Sequence, residues 1–269
     1  MSRGMQHDVQ TANDGLAPEL AARLVRIEDP AAEAFEHDCV RRPHGRARMW
    51  ARGALGRFVS DYDANGLLGT HDMHLLGTDA WRSLLARGGW VPPGDARLLD
   101  VGAGDGRVTA PLAELFTEVV TTELSAPMRR RLERRGWRCH AVDLAQQGLP
   151  EPGPFHAVAL LNVLDRTDRP LTLLARSRNL ARQDGCVLLA SPFPLRPHVH
   201  VGPATVDPDE PLPQRASSWE ESVTVFVRDT LEPVGLEVRV LARVPYLCRG
   251  PRRQPVLSHD DAILVCTPT

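Results

Sequence analysis

The chain has 269 residues, a formal charge of −2 and 42% hydrophobic residues, and its 32 basic side chains other than histidine are all arginine. That length suits one α/β domain with an N-terminal elaboration, and the near balance of charge excludes the global basic field through which proteins hold nucleic acid. Five widely spaced cysteines, Cys39, Cys139, Cys186, Cys248 and Cys266, indicate neither a disulfide framework nor a zinc site, and no apolar run reaches the ~18–20 residues that span a bilayer.

The polar opening, residues 1–13, does not read as a signal peptide. A soluble, intracellular protein is expected, cytoplasmic and monomeric, without a membrane span, a nucleic-acid partner or a bound metal. The arginines fit the codon bias of a GC-rich gene; only Arg129 to Arg131 with Arg134 and Arg135 cluster, as the solvated face of a helix.

Residues 18–85 are helical in character, with Leu20, Leu24 and Ile27 and later Trp50, Leu55 and Phe58 at helix-like spacings, interrupted by Pro43, Gly45 and the polar stretch 61–69. Trp81, Leu84 and Leu85 share one face of a helix that stops at Gly88-Gly89. The reading is therefore a tail and helical cap over residues 1–94 and a main domain over 95–269. Within the latter, strands and helices alternate: strand 97–101, helix 108–116, strand 118–122, helix 126–135, strand 137–142, strand 155–161, helix 169–180, strand 185–190. This order predicts a parallel, doubly wound, Rossmann-like sheet. Residues 192–213 are proline-rich and read as an irregular functional loop. A helix over 219–234 ends at Gly235, and strands 236–244 and 262–266 form an antiparallel pair at the sheet's end, giving seven strands in all.

The run Leu98-Leu99-Asp100-Val101-Gly102-Ala103-Gly104-Asp105-Gly106 takes an apolar strand into a glycine loop that opens a helix. Glycines let backbone pass where a Cβ would collide with a ligand, and the helix start presents unpaired N–H groups. Glu123 follows about twenty residues on at the end of the next strand, the place of a ribose-binding carboxylate. An aspartate ahead of the glycines is unfavourable beside a pyrophosphate and favourable beside a sulfonium and an ammonium. Asp100-x-Gly102-x-Gly104 accordingly resembles the first motif of class I S-adenosylmethionine-dependent methyltransferases. The resemblance implies that Gly102 and Gly104 make room for S-adenosylmethionine (product S-adenosylhomocysteine) and that Asp100 orients the loop and the methionyl end. It also implies that Glu123 accepts from the ribose hydroxyls, with Leu124 beside it. Asp143 fits two roles, an acceptor for the adenine amine or a helix N-cap. Asn162 and Asp165 leave the fourth strand at its carboxyl end, facing the ligand crevice where the methyl acceptor must sit.

Several motifs lie outside those shared by methyltransferases at large: Leu161-Asn162-x-Leu164-Asp165-Arg166, Asp168-x-Pro170-Leu171-Thr172-Leu173-Leu174 and Pro245-Tyr246-Leu247-Cys248. Together with the glycine loop and Thr122-Glu123-Leu124-Ser125, they resemble the DREV-type methyltransferases. The resemblance covers residues 73–269, and residues 195–215 depart from the family's loop. It implies a protein-histidine methyltransferase that modifies Nπ (Nδ1) of histidines in His-x-His motifs of protein or peptide substrates. Asn162 and Asp165 would hold the acceptor imidazole, Asn162 also bordering the cofactor, and Tyr246 would close the pocket or else serve as a core tyrosine. Two other functions stay open: a small-molecule N-methyltransferase acting on an imidazole or amine, and a cofactor-binding interaction module without catalysis.

The chain's own His198-Val199-His200 reads as a solvent-exposed loop pair rather than a self-methylation target. His71 and His74 lack a third metal ligand at suitable spacing. Met73 between them fits a place near the cofactor's methionine, an inference from the family pattern. Cys248 lacks an activating neighbour and reads as a small buried residue.

Overall fold

A computed structural model describes residues 15–55, 63, 67–69, 72–197, 199–201, 204–212 and 216–269. After the short helix α1 (Pro18–Ala21), the strand β1 (Leu24–Val25) and the helices α2 (Pro30–Arg41) and α3 (Arg46–Leu55) come β2 (Met73–His74) and α4 (Thr78–Arg87). The alternating part follows with β3 (Arg97–Val101), α5 (Thr109–Ala113), β4 (Glu118–Thr122), α6 (Ala126–Arg134), β5 (Arg138–His140), β6 (Phe155–Leu161), a 3-10 turn at Leu164–Arg166, α7 (Pro170–Leu180) and β7 (Ala181–Pro192). A hairpin of β8 (Val199–Val201) and β9 (Ala204–Val206), helix α8 (Trp219–Phe226), and the long strands β10 (Leu236–Arg249) and β11 (Val256–Pro268) complete the chain.

The main sheet runs β1-β10-β11-β7-β6-β3-β4-β5, with β2 also on β10. The seven expected strands are all present: β3, β4, β5, β6 and β7 pair in parallel, and β11 runs antiparallel to both β7 and β10. The central strands β3, β6 and β7 bury side chains on both faces. Leu99, Val158, Leu160, Val187 and Leu189 point into one core with α7 and α8, while Leu98, Ala157, Ala159, Cys186 and Leu188 point into the other with Trp81, Leu84 and Leu85 of α4.

The N-terminal stretch differs from a purely helical cap. Leu24 and Val25 pair with Leu241 and Ala242, and Met73 and His74 pair with Cys248 and Leu247, so two short strands cover an edge that β10 would otherwise expose. Leu16 and Leu20 enter one core, and Leu75 and Leu76 the other. Two further departures are local. The proline-rich stretch carries the β8–β9 hairpin, and the helix over 219–234 breaks into α8, a π-helical stretch Val227–Leu231 and a last turn Glu232–Val234 before Gly235 at φ +83°. The sequence order reverses at β3, which lies between β4 and β6, opening a crevice at the carboxyl ends of the strands.

Candidate functional site

The glycine loop occupies that crevice. Gly102, at φ +71°, has no room for a Cβ, which would stand 2.8 Å from Val163 Cγ2; at Gly104, φ +57°, a Cβ would meet nothing within 4 Å, so this part of the loop borders open space. The Gly102 N–H donates to Thr122 Oγ1 (3.1 Å). Glu123 accepts from the N–H groups of Gly104 (2.9 Å) and Ser125 (2.7 Å), which ties the end of β4 to the loop. Burial raises the Glu123 carboxyl above its ordinary value, and those N–H groups oppose the rise. Leu124 beside it is 62% exposed.

Asp100 lies under the loop, 1% exposed. Its Oδ2 accepts from the Thr109 hydroxyl, and its Oδ1 is buried with no hydrogen-bond partner among the described residues. Burial pushes Asp100 up to about 7, the Thr109 hydroxyl opposes this, and the charge of Glu123 adds to it. A buried acceptor oxygen left over at the edge of an open crevice suits a ligand that brings a cation or a donor. The residues therefore fit S-adenosylmethionine. Asp143 Oδ1 accepts from the Ala145 N–H (2.8 Å), an Asx turn that opens the following turn.

A second cavity of about 470 Å³ is lined by Asn162, Asp165, Arg166, Pro192, Phe193, Pro194, Arg196, Tyr246, His259 and Asp260. It brings together all three residues expected to handle the acceptor. Asn162 terminates β6 in the left-handed region (φ 57°), its N–H donating to Ala190 O at 2.9 Å. Asp165 is 2% exposed in the 3-10 turn, with Arg166 Nε 3.6 Å from its Oδ1. Tyr246 is 6% exposed, and its hydroxyl donates to Met73 Sδ. Burial drives the tyrosine well above its ordinary value, so it carries no phenolate charge at neutral pH.

Other residues fall where the chemistry excludes a role or where none is indicated. Burial pushes the Cys248 thiol up to about 12, which excludes a thiolate nucleophile. His74 Nε2 lies 2.7 Å from Asp29 Oδ2 and its ring stacks on Phe35, while His71 and His198 lie outside the described residues, as does the side chain of His200. Among the described residues no group of three His, Cys, Asp or Glu side chains is arranged to hold a metal, and no helix is long and apolar enough to cross a membrane. On α6, Arg129 donates to the carbonyl oxygens of Leu124 and Glu123 rather than standing in solvent, whereas Arg130 and Arg134 are exposed.

Sequence reasoning passed over the wall contributed by β11. His259 and Asp260 line the same cavity, and Asp261 lies fully buried beside them in the strand. The polar run Ser258-His259-Asp260-Asp261 against the apolar strand that follows was the available signal. Asp260 is held in place by Arg243 (2.9 Å from Oδ1), which also reaches Glu220 (2.7 Å) and stacks over Trp219.

A parallel sheet closed by an antiparallel β11, with an acidic glycine loop at the switch point, defines a class I methyltransferase, and its cofactor is S-adenosylmethionine. The family model for the DREV methyltransferases matches residues 46–268, and the chain belongs to that family. Among curated proteins it is similar to protein-L-isoaspartate O-methyltransferases of Hahella chejuensis, 38% identical over 31% of this chain and 41% of that one, and of Gloeobacter violaceus, 34% identical over 30% and 42%. The chain thus spans about two fifths of the length of the curated relatives it matches. Solved structures with a similar chain path include 1,6-didemethyltoxoflavin-N1-methyltransferase of Burkholderia thailandensis, 20% identical over 91% of this chain and 92% of that one with a TM-score of 0.48. Magnesium protoporphyrin IX methyltransferase of Synechocystis is 16% identical over 90% and 93%, with a TM-score of 0.45.

Proposed function

We propose that this chain is a protein-histidine N-methyltransferase that modifies Nπ of a histidine in His-x-His segments of protein or peptide substrates. The observation that carries the reading is the convergence of Asn162, Asp165 and Tyr246 on one cavity, with Val163 between the first two packed against Gly102 of the loop. Asp100, Gly102, Gly104, Glu123 and Leu124 would hold the cofactor, with Asp143 towards the adenine and Asn162 between cofactor and acceptor. When bound, S-adenosylmethionine supplies a methyl group on a positively charged sulfur and leaves as S-adenosylhomocysteine.

Histidine attacks only as the neutral ring, the majority form at pH 7 given an ordinary value near ~6.5. Asp165 accepts the Nτ–H of that ring, which fixes the tautomer with a lone pair on Nπ and aims it at the methyl group. Methyl transfer to Nπ would leave the ring a methylimidazolium, and the buried Asp165 carboxylate would stabilise that charge. The Nτ proton then leaves through Asp165 to solvent. Tyr246 borders the cavity and offers an aromatic face to the developing cation.

The cavity volume of about 470 Å³ also lies in the range of small-molecule sites, which favours a free imidazole or amine as the second reading. Incubation with labelled cofactor, a His-x-His peptide library and free imidazole metabolites separates the two. The expected result is label on Nπ of peptide histidine, with D165A binding cofactor normally and losing transfer at least a hundredfold. Turnover of free metabolites alone, or equal activity in D165A, overturns the reading.

A further inference from the structure

Behind the acceptor cavity lies a carboxylate that the mechanism above does not use. Asp261 sits in β11, opposite Val244 of β10 on one side and Pro192 of β7 on the other. It is 0% exposed, and neither of its oxygens has a hydrogen-bond partner among the described residues. The two polar atoms of the Asn162 side chain are buried and unpartnered by the same measure. The sheet brings the two residues together: the Asn162 N–H donates to Ala190 O of β7 (2.9 Å), and Asp261 pairs with Pro192 two residues further along that strand, so the amide and the carboxylate are neighbours. The Asn162 backbone lies in the left-handed region (φ 57°) with its N–H on the Ala190 carbonyl, which anchors the residue's main chain beside β7.

We propose that Asp261 is a positioning residue of the methyl-transfer site, which holds the Asn162 amide from behind with its NH2 group turned inward and its carbonyl oxygen turned to the acceptor. The inference rests on the placing of Asn162 at the acceptor given above. An asparagine side chain has two orientations that differ by a half-turn and interchange donor and acceptor. An ionised carboxylate only accepts, so it selects the orientation with the NH2 group against it. The outward carbonyl then receives a hydrogen from the acceptor segment instead of competing with it. Protonated Asp261 donates, attracts the carbonyl and turns the NH2 group outward.

The groups that face Asp261 set when this happens: Asp165 and Arg166 from the 3-10 turn, Asn162 from β6, Tyr246 and Cys248 from β10, and Asp260 on its own strand. Burial first, then the charges of Asp165 and Asp260, push Asp261 up to about 8, against the opposing effects of Asn162 and Arg166. Deprotonation therefore falls in the mildly alkaline range, above the titration of the acceptor imidazole itself. It adds negative charge near the methylimidazolium as well as setting the amide, so both effects raise the rate with pH.

The test pairs an NMR titration of the Asn162 side-chain NH2 resonances with transfer kinetics on a His-x-His peptide, in the wild type, D261N, N162A and the double variant. In the wild type the NH2 resonances should move through a transition in the mildly alkaline range, and D261N should abolish it. The kcat/KM of D261N should fall about tenfold at pH 8.5 and lose the alkaline rise, with cofactor Kd within twofold, and the double variant should lose less than the product of the two single losses, the part acting through the amide being gone in N162A already. Resonances that ignore the titration of Asp261, or losses that simply multiply, overturn the inference. If D261N fails to bind cofactor, the wild-type titration decides alone. A wild type that shows the titration but methylates no histidine peptide overturns the histidine reading and supports the positioning of Asn162.

Discussion

Replacing Asp100 by asparagine tests the charge logic of the glycine loop. The carboxyl, ordinarily at 3.8, stands at about 7 in the folded protein because burial disfavours its charge. The folded chain consequently binds more protons than the unfolded chain between about pH 4 and 7, so this group lowers stability as pH rises through that window and no further above it. From those two values the destabilisation grows by about 2.5 kcal/mol between pH 5 and pH 8. D100N removes the titration while keeping an oxygen for the Thr109 hydroxyl, and other groups titrate alike in both proteins. The gap in Tm between D100N and wild type, measured without ligand by thermal unfolding, should thus widen in favour of D100N by about 5–10 °C from pH 5 to pH 8. Cofactor binding should go the other way. Losing a charge-assisted contact to a cationic ligand weakens affinity by about tenfold or more, and wild-type affinity itself should rise with pH up to about 7 as Asp100 ionises. A Tm gap that is the same at both pH values refutes the argument.

Gly106→Ala should destabilise the loop. A Cβ there stands 2.6 Å from Trp137 and 2.7 Å from Leu132 at φ +75°, so a loss of about 1–3 kcal/mol in urea unfolding is expected. Arg249→Ala removes a guanidinium bonded to the Asp38 carboxylate (2.6 Å), to Asp72 and to the Arg42 carbonyl (2.6 Å). Its removal takes one of two cations from each carboxylate, Arg42 staying with Asp38 and Arg107 with Asp72, and also loses the link between α2 and β10, so the urea midpoint should fall. Because Asp72 also pairs with Arg107 beside the glycine loop, a calorimetric titration should show weaker cofactor binding too. Tyr246→Phe should keep kcat/KM within about threefold across pH 6–9, since a tyrosine held far above its ordinary value supplies no base; a loss of a hundredfold would assign the hydroxyl a proton-transfer role.

The parts of the site that were legible in the sequence share one physical origin. Asp100 lies near the end of β3 and Asn162 just past the end of β6, and in a doubly wound sheet the end of such a strand is also the rim of the crevice, so the strand pattern puts both residues at that rim. Asp261 obeys the opposite rule. It begins an apolar run and adjoins a polar one, and only the pairing of β11 with β7 through Pro192 buries it behind Asn162. Leu24–Val25 and Met73–His74 are too short to show a strand period, and they are strands because β10 offers them an edge. Arg249, Asp38, Asp72 and Arg107 likewise span the chain from α2 to β10, and no local spacing links them. The glycine loop and the turn from Asn162 to Asp165 are written in contiguous segments, whereas the wall that Tyr246, His259 and Asp260 give the cavity is assembled by the register of β10 on β11. Substitutions at β10 and β11 should therefore alter acceptor choice more readily than cofactor binding.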